Sequence, residues 1–358
     1  MPHGPVRRNR GDCAVRTPDL FIGAVGAFVP PTVSVEWAID RGLYSREQVE
    51  LHELAGTAIA GDLPAPEMAL RAAQQAVKRW GGSPTEFDLL LYASTWHQGP
   101  DGWPPHSYLQ RHLVGGDLLA LEIRQGCNGM FSAFELAASH LQAVPERTSA
   151  LLVAADNYGT PMVDRWRMGP GFIGGDAGSA LILTKRPGFA RLRSVCTKSV
   201  PEAERLHRGD EPLFPPSVLT GRELNFTARI DQQFAARSPA SIAMADVGDH
   251  IEEVVGRALA EAEIEVGDLA RVAFMNFSRE IMEQRCLANW GLPMSRSTFD
   301  FGRRIGHCGA SDPLLALEHL ARTGGLGPGD HLLTLGTAPG VVVSCAIVQV
   351  IESPTWRE

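Results

Sequence analysis

Two kinds of hydrophobic pattern alternate along the chain. "MALRAAQQAVKRWGGSPTEFDLLLYAST" (68–95) reads as a helix, a short turn, an aspartate and an apolar run suited to a buried strand. "HIEEVVGRALAEAEIEVGDLARVAFMNFS" (250–278) repeats that order, and the aspartates opening the two strands, Asp88 and Asp268, lie 180 positions apart. Downstream, "GCNGMFSAFELAASHL" (126–141) is a glycine turn and a helix, followed by the strand "ALLVAAD" (150–156). "GHCGASDPLLALEHL" (306–320) and "HLLTLGTA" (331–338) give the same sequence of elements, and the helix ends His140-Leu141 and His319-Leu320 are again about 180 apart.

Three such matches in register indicate an internal repeat. Strands alternating with helices predict an α/β protein of two βαβ-rich halves, each with a largely parallel sheet. We place an N-terminal disordered tail at residues 1–18, an N-terminal half at 19–190 and a C-terminal half at 191–358. Under this repeat Cys127 and His307 occupy equivalent places, each at a glycine-flanked turn feeding a helix N-terminus. Two halves packed about a pseudo-twofold axis would bring those helix starts into one site.

The composition narrows the partners. The 358 residues are 44% hydrophobic and 21% charged, enough for a sizeable core. A net charge of −8 without a long basic run argues against nucleic acid. No apolar stretch reaches the length of a membrane span, and the basic start "MPHGPVRRNRGDCAVRTPD" lacks an apolar signal region. Cysteines 13, 127, 196, 286, 308 and 345 are scattered, with no metal-ligand spacing, which points to a reducing cytoplasm without disulfides or structural zinc.

The candidate chemistry lies at the two helix starts. A helix N-terminus favours a thiolate, and Gly126 and Gly129 leave the Cys127 sulfur accessible. The Cys127 N–H is also placed to help hold an oxyanion. "GCNG" alone fits a small buried cysteine equally well. His307 as base and Asp312 as the carboxylate that orients it complete a nucleophile–base–acid set. Asp312, just before Pro313, also suits a helix cap, and both roles are compatible.

"EIRQGCNGMFSAFELA", "GGDAGSALIL" (174–183), "GHCGASDPLLAL" and "LGTAPGVVVSCAIVQV" together resemble the β-ketoacyl-acyl carrier protein synthase III family of the thiolase superfamily. The resemblance covers nearly the whole chain after about residue 19. It implies a thiolase fold of five αβαβα layers in two pseudo-duplicated halves, a homodimer and an acyl thioester on Cys127. It also implies an acyl-phosphopantetheine donor, on acyl carrier protein or as acyl-CoA, with no permanently bound cofactor.

The chain departs from the chain-initiating members, which carry a Cys-His-Asn set. Their histidine position holds Asn276, and their asparagine position holds His307. The "GHxGxxD" arrangement is similar to a sub-branch from bacterial polyketide and glycosylated antibiotic pathways. Some of those enzymes move an intact acyl group to a sugar hydroxyl or a second carrier protein; others select a starter unit by decarboxylative condensation. Direct transfer to a hydroxyl or thiol needs a base for the acceptor, which a His307–Asp312 pair supplies. We therefore read the chain as an acyltransferase, with starter-unit condensation as the alternative and an inactive carrier-binding partner as a remote one.

Further positions follow from the resemblance. Pro339 has no N–H for the oxyanion hole that the family completes at this turn, so the second donor falls to Gly340 or Ala338, with Asn276 a further candidate. Trp37 and Arg41 match the residues that hold the adenine of coenzyme A, and their helical spacing equally suits a surface pair. His97 and His106, in a loop rich in Pro, Gly and aromatics (95–116), read as loop contacts. Cys345 reads as core, and Cys308 as a neighbour of the site without a role. Arg303 and Arg304 could meet an acidic carrier protein or simply be solvated.

Overall fold

The alternating runs become strands and helices close to the expected bounds. From the N-terminus these are β1 (Ala14–Arg16), β2 (Phe21–Phe28), β3 (Thr32–Ser34), α1 (Val35–Ile39), α2 (Arg46–His52), β4 (Gly56–Ala58), α3 (Ala65–Trp80), β5 (Leu89–Ala93), α4 (Pro105–Leu109), β6 (Leu119–Ile123), α5 (Gly129–Ala143), β7 (Ser149–Asp156) and β8 (Ala177–Thr184). There follow β9 (Ala190–Ser199), α6 (Arg205–Arg208), α7 (Phe226–Ala235), α8 (Pro239–Ala245), α9 (Val247–Ala262), β10 (Leu269–Ala273), α10 (Arg279–Cys286), α11 (Phe299–Ile305), α12 (Asp312–Thr323), β11 (His331–Ala338) and β12 (Val342–Val350). The computed structural model describes residues 14–17 and 19–356.

Period-two alternation in the strands creates the layers. Leu89, Leu91 and Ala93 of β5 share a core with Met130 and Phe134 of α5 and Leu314 and Leu317 of α12. Leu90 and Tyr92, between them in sequence, face Met68 and Ala72 of α3 instead. On the other side, Leu332, Ala346 and Val348 enter the central core, while Leu333, Cys345 and Ile347 pack on Ile251 and Val255 of α9. The order is therefore α3, sheet, α5 with α12, sheet, α9: the five αβαβα layers of the thiolase fold. The strand order β10-β11-β12-β9-β2-β8-β7-β5-β6 runs through both sheets. They join through only two residue pairs, Phe21–Arg191 and Ile22–Ala190.

Two expectations change. The sheets are mixed, with parallel pairing at β5–β6, β5–β7 and β10–β11 and antiparallel pairing at β2–β8, β7–β8, β11–β12 and β9–β12. The three residues between β11 and β12 leave no room for the crossover that parallel pairing demands. The expected tail of residues 1–18 is also not all tail. Ala14–Arg16 pair antiparallel with Ser194–Cys196 of β9, whose edge offers unpaired backbone groups. Residues 1–13 and Pro18, which hold the rest of that tail and Cys13, lie outside the described residues.

The outer helix α3 lies very close to its sheet. A Cβ at Gly178 of β8 would begin 2.5 Å from the Met68 backbone. Gly178→Val should therefore lower the thermal midpoint by several degrees, an overpacking cost of roughly 1–3 kcal/mol or more. Circular dichroism melts beside the parent protein measure it, and an unchanged midpoint would show that the helix can shift outward freely.

Candidate active site

The central layer brings two helix starts together. Cys127 sits in a single 3₁₀ turn, Gly126–Asn128, that leads into α5. His307 precedes a matching turn, Gly309–Ser311, that leads into α12. Across this junction Cys127 Sγ lies 2.9 Å from His307 Nε2. On the far side of the ring, His307 Nδ1 meets Asp312 Oδ2 at 2.5 Å. The first N–H groups of a helix have no intrahelical partner, and in the second turn His307 N and Cys308 N are taken up by Ile173 O and Asp312 Oδ1.

Asp312 is the first residue of α12, and its side chain points back from the helix. Besides His307 it accepts from Cys308 N (2.8 Å), Asn276 N (2.9 Å) and Asn276 Nδ2 (3.0 Å). Asn276 is thereby corrected as an oxyanion donor. Its other amide hydrogen goes to Gly306 O at 2.8 Å, which leaves none for a substrate. Asn276 holds the carboxylate that meets His307.

The N-terminal half grips the His307 turn through its backbone. His307 N donates to Ile173 O (2.8 Å) and Gly175 N donates to His307 O (2.9 Å), so the "GGDAG" stretch acts as a short parallel bridge. Gly306 (φ +76°) is required here, since a side chain would begin 2.5 Å from Thr57 Oγ1 and 2.7 Å from Ile173 O. The fully buried Asn128 ties the Cys127 turn to the opposite hairpin, donating to Val342 O (3.0 Å) and Ser344 Oγ (3.1 Å). Neither Asn128 nor the bridge was singled out in the sequence. "GCNG" and "GGDAG" carried the signal without revealing its purpose.

Phe172 and Phe277 meet the His307 ring at near right angles, each with centroids 5.1 Å away, and exclude water around it. Burial alone would lower the His307 pKa. The facing Cys127 sulfur and the Asp312 carboxylate override it and hold the imidazole well above its ordinary value. Cys308, wholly buried among the backbone carbonyls of Ile305 and Gly306, has its thiol pushed far up by burial and is inert. A second carboxyl, Asp156 at the end of β7, accepts from Thr95 N (2.8 Å) and Trp96 N (2.9 Å) through Oδ1, while Oδ2 has no partner among the described residues. Burial raises its pKa to about 7.

Of the remaining candidates, Ala338 alone lines the cavity above Cys127, which has a volume of about 210 Å³. Ala338, Pro339 and Val341 form part of its wall, whereas Gly340 turns to the outer rim beside Trp96 and Leu213. Trp37 and Arg41 are stacked on each other, the guanidinium 4.1 Å from the ring centre, as a surface pair. Arg303 and Arg304 belong to α11 and do not reach the cavity. His97 packs edge-on against Trp96, and His106 lies in α4 with its pKa lowered by burial. Among the described residues no group of three or more His, Cys, Asp or Glu could hold a metal ion. No helix among them is long and apolar enough to cross a membrane.

Two outcomes test this electrostatic picture. Asp312→Asn removes the charge behind His307, so the imidazole should titrate well below its parent value in a histidine NMR titration. A parent-like titration would show that the sulfur alone sustains it. Asp156 is raised from 3.8 to about 7 on folding, so its contribution to stability is full below 3.8 and is lost as pH rises through about 7. Asp156→Asn should therefore raise stability at pH 8 relative to pH 5, by at most about 3 kcal/mol at roughly 1.36 kcal/mol per pH step over the two steps from 5 to about 7. Denaturation at both pH values reads this, and equal changes at both would refute the buried-charge account.

Residues 259–350 match the family model described as 3-oxoacyl-[acyl-carrier-protein (ACP)] synthase III C terminal. Among solved structures, the acyltransferase ChlB3 is 60% identical, with a TM-score of 0.90 over 95% of this chain and 100% of its own. The 3-oxoacyl-[acyl-carrier-protein] synthase III of Aquifex aeolicus shares the fold at 18% identity, with a TM-score of 0.75 over 92% of this chain and 99% of its own. OleA of Xanthomonas campestris, solved with lauric acid and lauroyl-CoA, does so at 17% identity and a TM-score of 0.73 over 93% and 99%. The motifs, the layered fold and the 60% identity to an acyltransferase agree, and the chain belongs to the synthase III-like acyltransferases of the thiolase superfamily.

Proposed function

We propose that this enzyme moves an acyl group from an acyl carrier protein or CoA thioester, through an acyl-Cys127 intermediate, to a hydroxyl or thiol acceptor. The observation that carries this reading is the unbroken Cys127–His307–Asp312 contact chain. In loading, the Cys127 proton passes to His307 Nε2 and the sulfur attacks the donor carbonyl carbon. The new C–S bond forms, the donor C–S bond breaks, and the imidazolium returns its proton to the departing pantetheine thiol. The oxyanion forms beside the Cys127 N–H at the start of the turn.

Because the imidazolium has given its proton to the departing thiol, a neutral imidazole faces the acyl group, with Asp312 still behind it. That imidazole takes the proton of the incoming hydroxyl or thiol as its oxygen or sulfur attacks. The acyl–Cys127 bond breaks and the sulfur recovers the proton. Asp312 keeps Nδ1 protonated throughout, so Nε2 stays the working nitrogen.

The commitment of Asn276 to Asp312 and Gly306 favours this over starter-unit condensation, which needs two donors on the malonyl thioester oxygen. The acceptor class is a sugar or a second carrier protein in natural-product assembly, in keeping with the "GHxGxxD" arrangement. A homodimer is supported by the open sheet edge at β6, where Leu119 is 54% exposed.

Intact mass after incubation with acyl-CoA or acyl-carrier donors should show one acyl adduct in the parent protein and none in Cys127→Ala. An adduct that persists in the variant, or none with any donor, would sink the covalent route. Carbon dioxide released from a malonyl donor in the presence of an acceptor would assign condensation instead of transfer. His307→Ala should reduce loading and transfer by on the order of 10²–10⁴-fold.

A further inference from the structure

The cavity above Cys127 is walled by apolar and aromatic side chains, Phe226, Ile230, Met244 and Ile281 among them, and no carboxylate lines it. One cation does. Arg285, in the last turn of α10, forms part of the wall and makes no salt bridge among the described residues. Burial holds its pKa below the ordinary guanidinium value. The carbonyl end of α10 helps to tolerate the charge there, but a guanidinium facing apolar walls without a carboxylate is costly to keep.

His207 lies beside it. Burial, with Arg229 and Arg285 nearby, brings the His207 pKa down to about 4, so the ring is neutral at working pH. Its Nδ1 is buried without a partner among the described residues, and its ring meets Phe226 at a near right angle, with centroids 5.4 Å apart. Two polar groups with unused hydrogen-bonding capacity thus share an otherwise apolar chamber with the nucleophile.

We propose that Arg285, assisted by His207, is a specificity determinant that selects acyl groups bearing an anionic or strongly hydrogen-bond-accepting substituent away from the thioester. This rests on the acyl-Cys127 reading and names the acyl class for the same site. An accepting oxygen on the acyl group converts the unpaired guanidinium into a charge-assisted pair in a water-poor space. A plain hydrocarbon acyl group leaves both polar groups unpaired and is disfavoured. The pantetheine arm is a poor fit to these walls, because its amides would find few partners along them.

The test uses the whole protein and single-turnover acylation of Cys127 followed by intact mass, so no acceptor is needed. Donors are succinyl, glutaryl and adipoyl thioesters of N-acetylcysteamine against butyryl, valeryl and hexanoyl, with the matching CoA thioesters as a second arm. The parent protein should load at least one carboxylated donor on the order of tenfold to a hundredfold faster than its plain counterpart. Arg285→Gln should abolish that preference while plain donors change by less than about threefold, and Arg285→Lys should restore part of it.

A preference that survives in Arg285→Gln, or is absent in the parent, overturns the proposal. So does a loss seen only with CoA thioesters, which would assign the cation to the phosphate of the donor arm. If plain donors acylate Cys127 but Arg285 is neutral to substituent, the covalent reading stands and this inference falls alone. If no donor acylates Cys127, both fall.

Discussion

Everything at this site hangs on the Asp312 carboxylate. It is buried, and a buried carboxylate persists only where N–H donors surround it. Four converge on it, from His307, Cys308 and twice from Asn276. Satisfying them fixes the imidazole orientation, the path of the chain from Gly306 to Cys308, and the end of the segment after β10. The one imidazole nitrogen left over is the one that faces Cys127. An imidazole at position 276 would keep the backbone N–H donor, but when neutral it could not give both of the side-chain donors that Asn276 Nδ2 gives to Asp312 and Gly306.

The rest of the site contrasts rigidity with variety. Cys127 and His307 stand on backbone drawn from both sheets. Asn128 pins one turn to β12 and to the carbonyl end of β11, the Gly174–His307 bridge pins the other, and Ser311 Oγ donates to Ala154 O at 3.1 Å. Small displacements of such groups are resisted by several hydrogen bonds at once, as catalysis demands of a nucleophile–base distance. The cavity above them is closed differently. Residues from α6, α7, α8 and α10, together with the turn around Pro339, form its outer wall. Leu213 and Phe214, on the connection that follows α6, are more than 80% exposed.

Much of this was legible in the chain. The repeat spacing gave the equivalence of Cys127 and His307, and the apolar runs gave β7 and β11 nearly to the residue and the existence of β5 and β10. Period-two and helical hydrophobicity are local signals, so they survive in one dimension. The misreadings share a cause. Largely parallel sheets were expected because neighbouring units are βαβ in sequence, yet pairing partners such as β9–β12 and β2–β8 are more than a hundred residues apart. Asn276 as an oxyanion donor was plausible from its position alone, because a sequence does not show that both its amide hydrogens are already used. Arg285 and His207 had no motif to mark them, being ordinary residues until the surrounding wall proves apolar.

The sequence by itself therefore determined the element order, the duplicated helix starts and the chemical types available there, because those depend on local pattern and residue identity. Only the tertiary structure decided which hydrogen bonds each polar group makes, since that depends on neighbours brought in from distant segments. It set the 2.9 Å contact between sulfur and imidazole, committed Asn276 to Asp312, turned Gly340 outward and left Arg285 unpaired beside the nucleophile. Burial made those choices matter, because a polar group is held to one set of partners only where water cannot replace them.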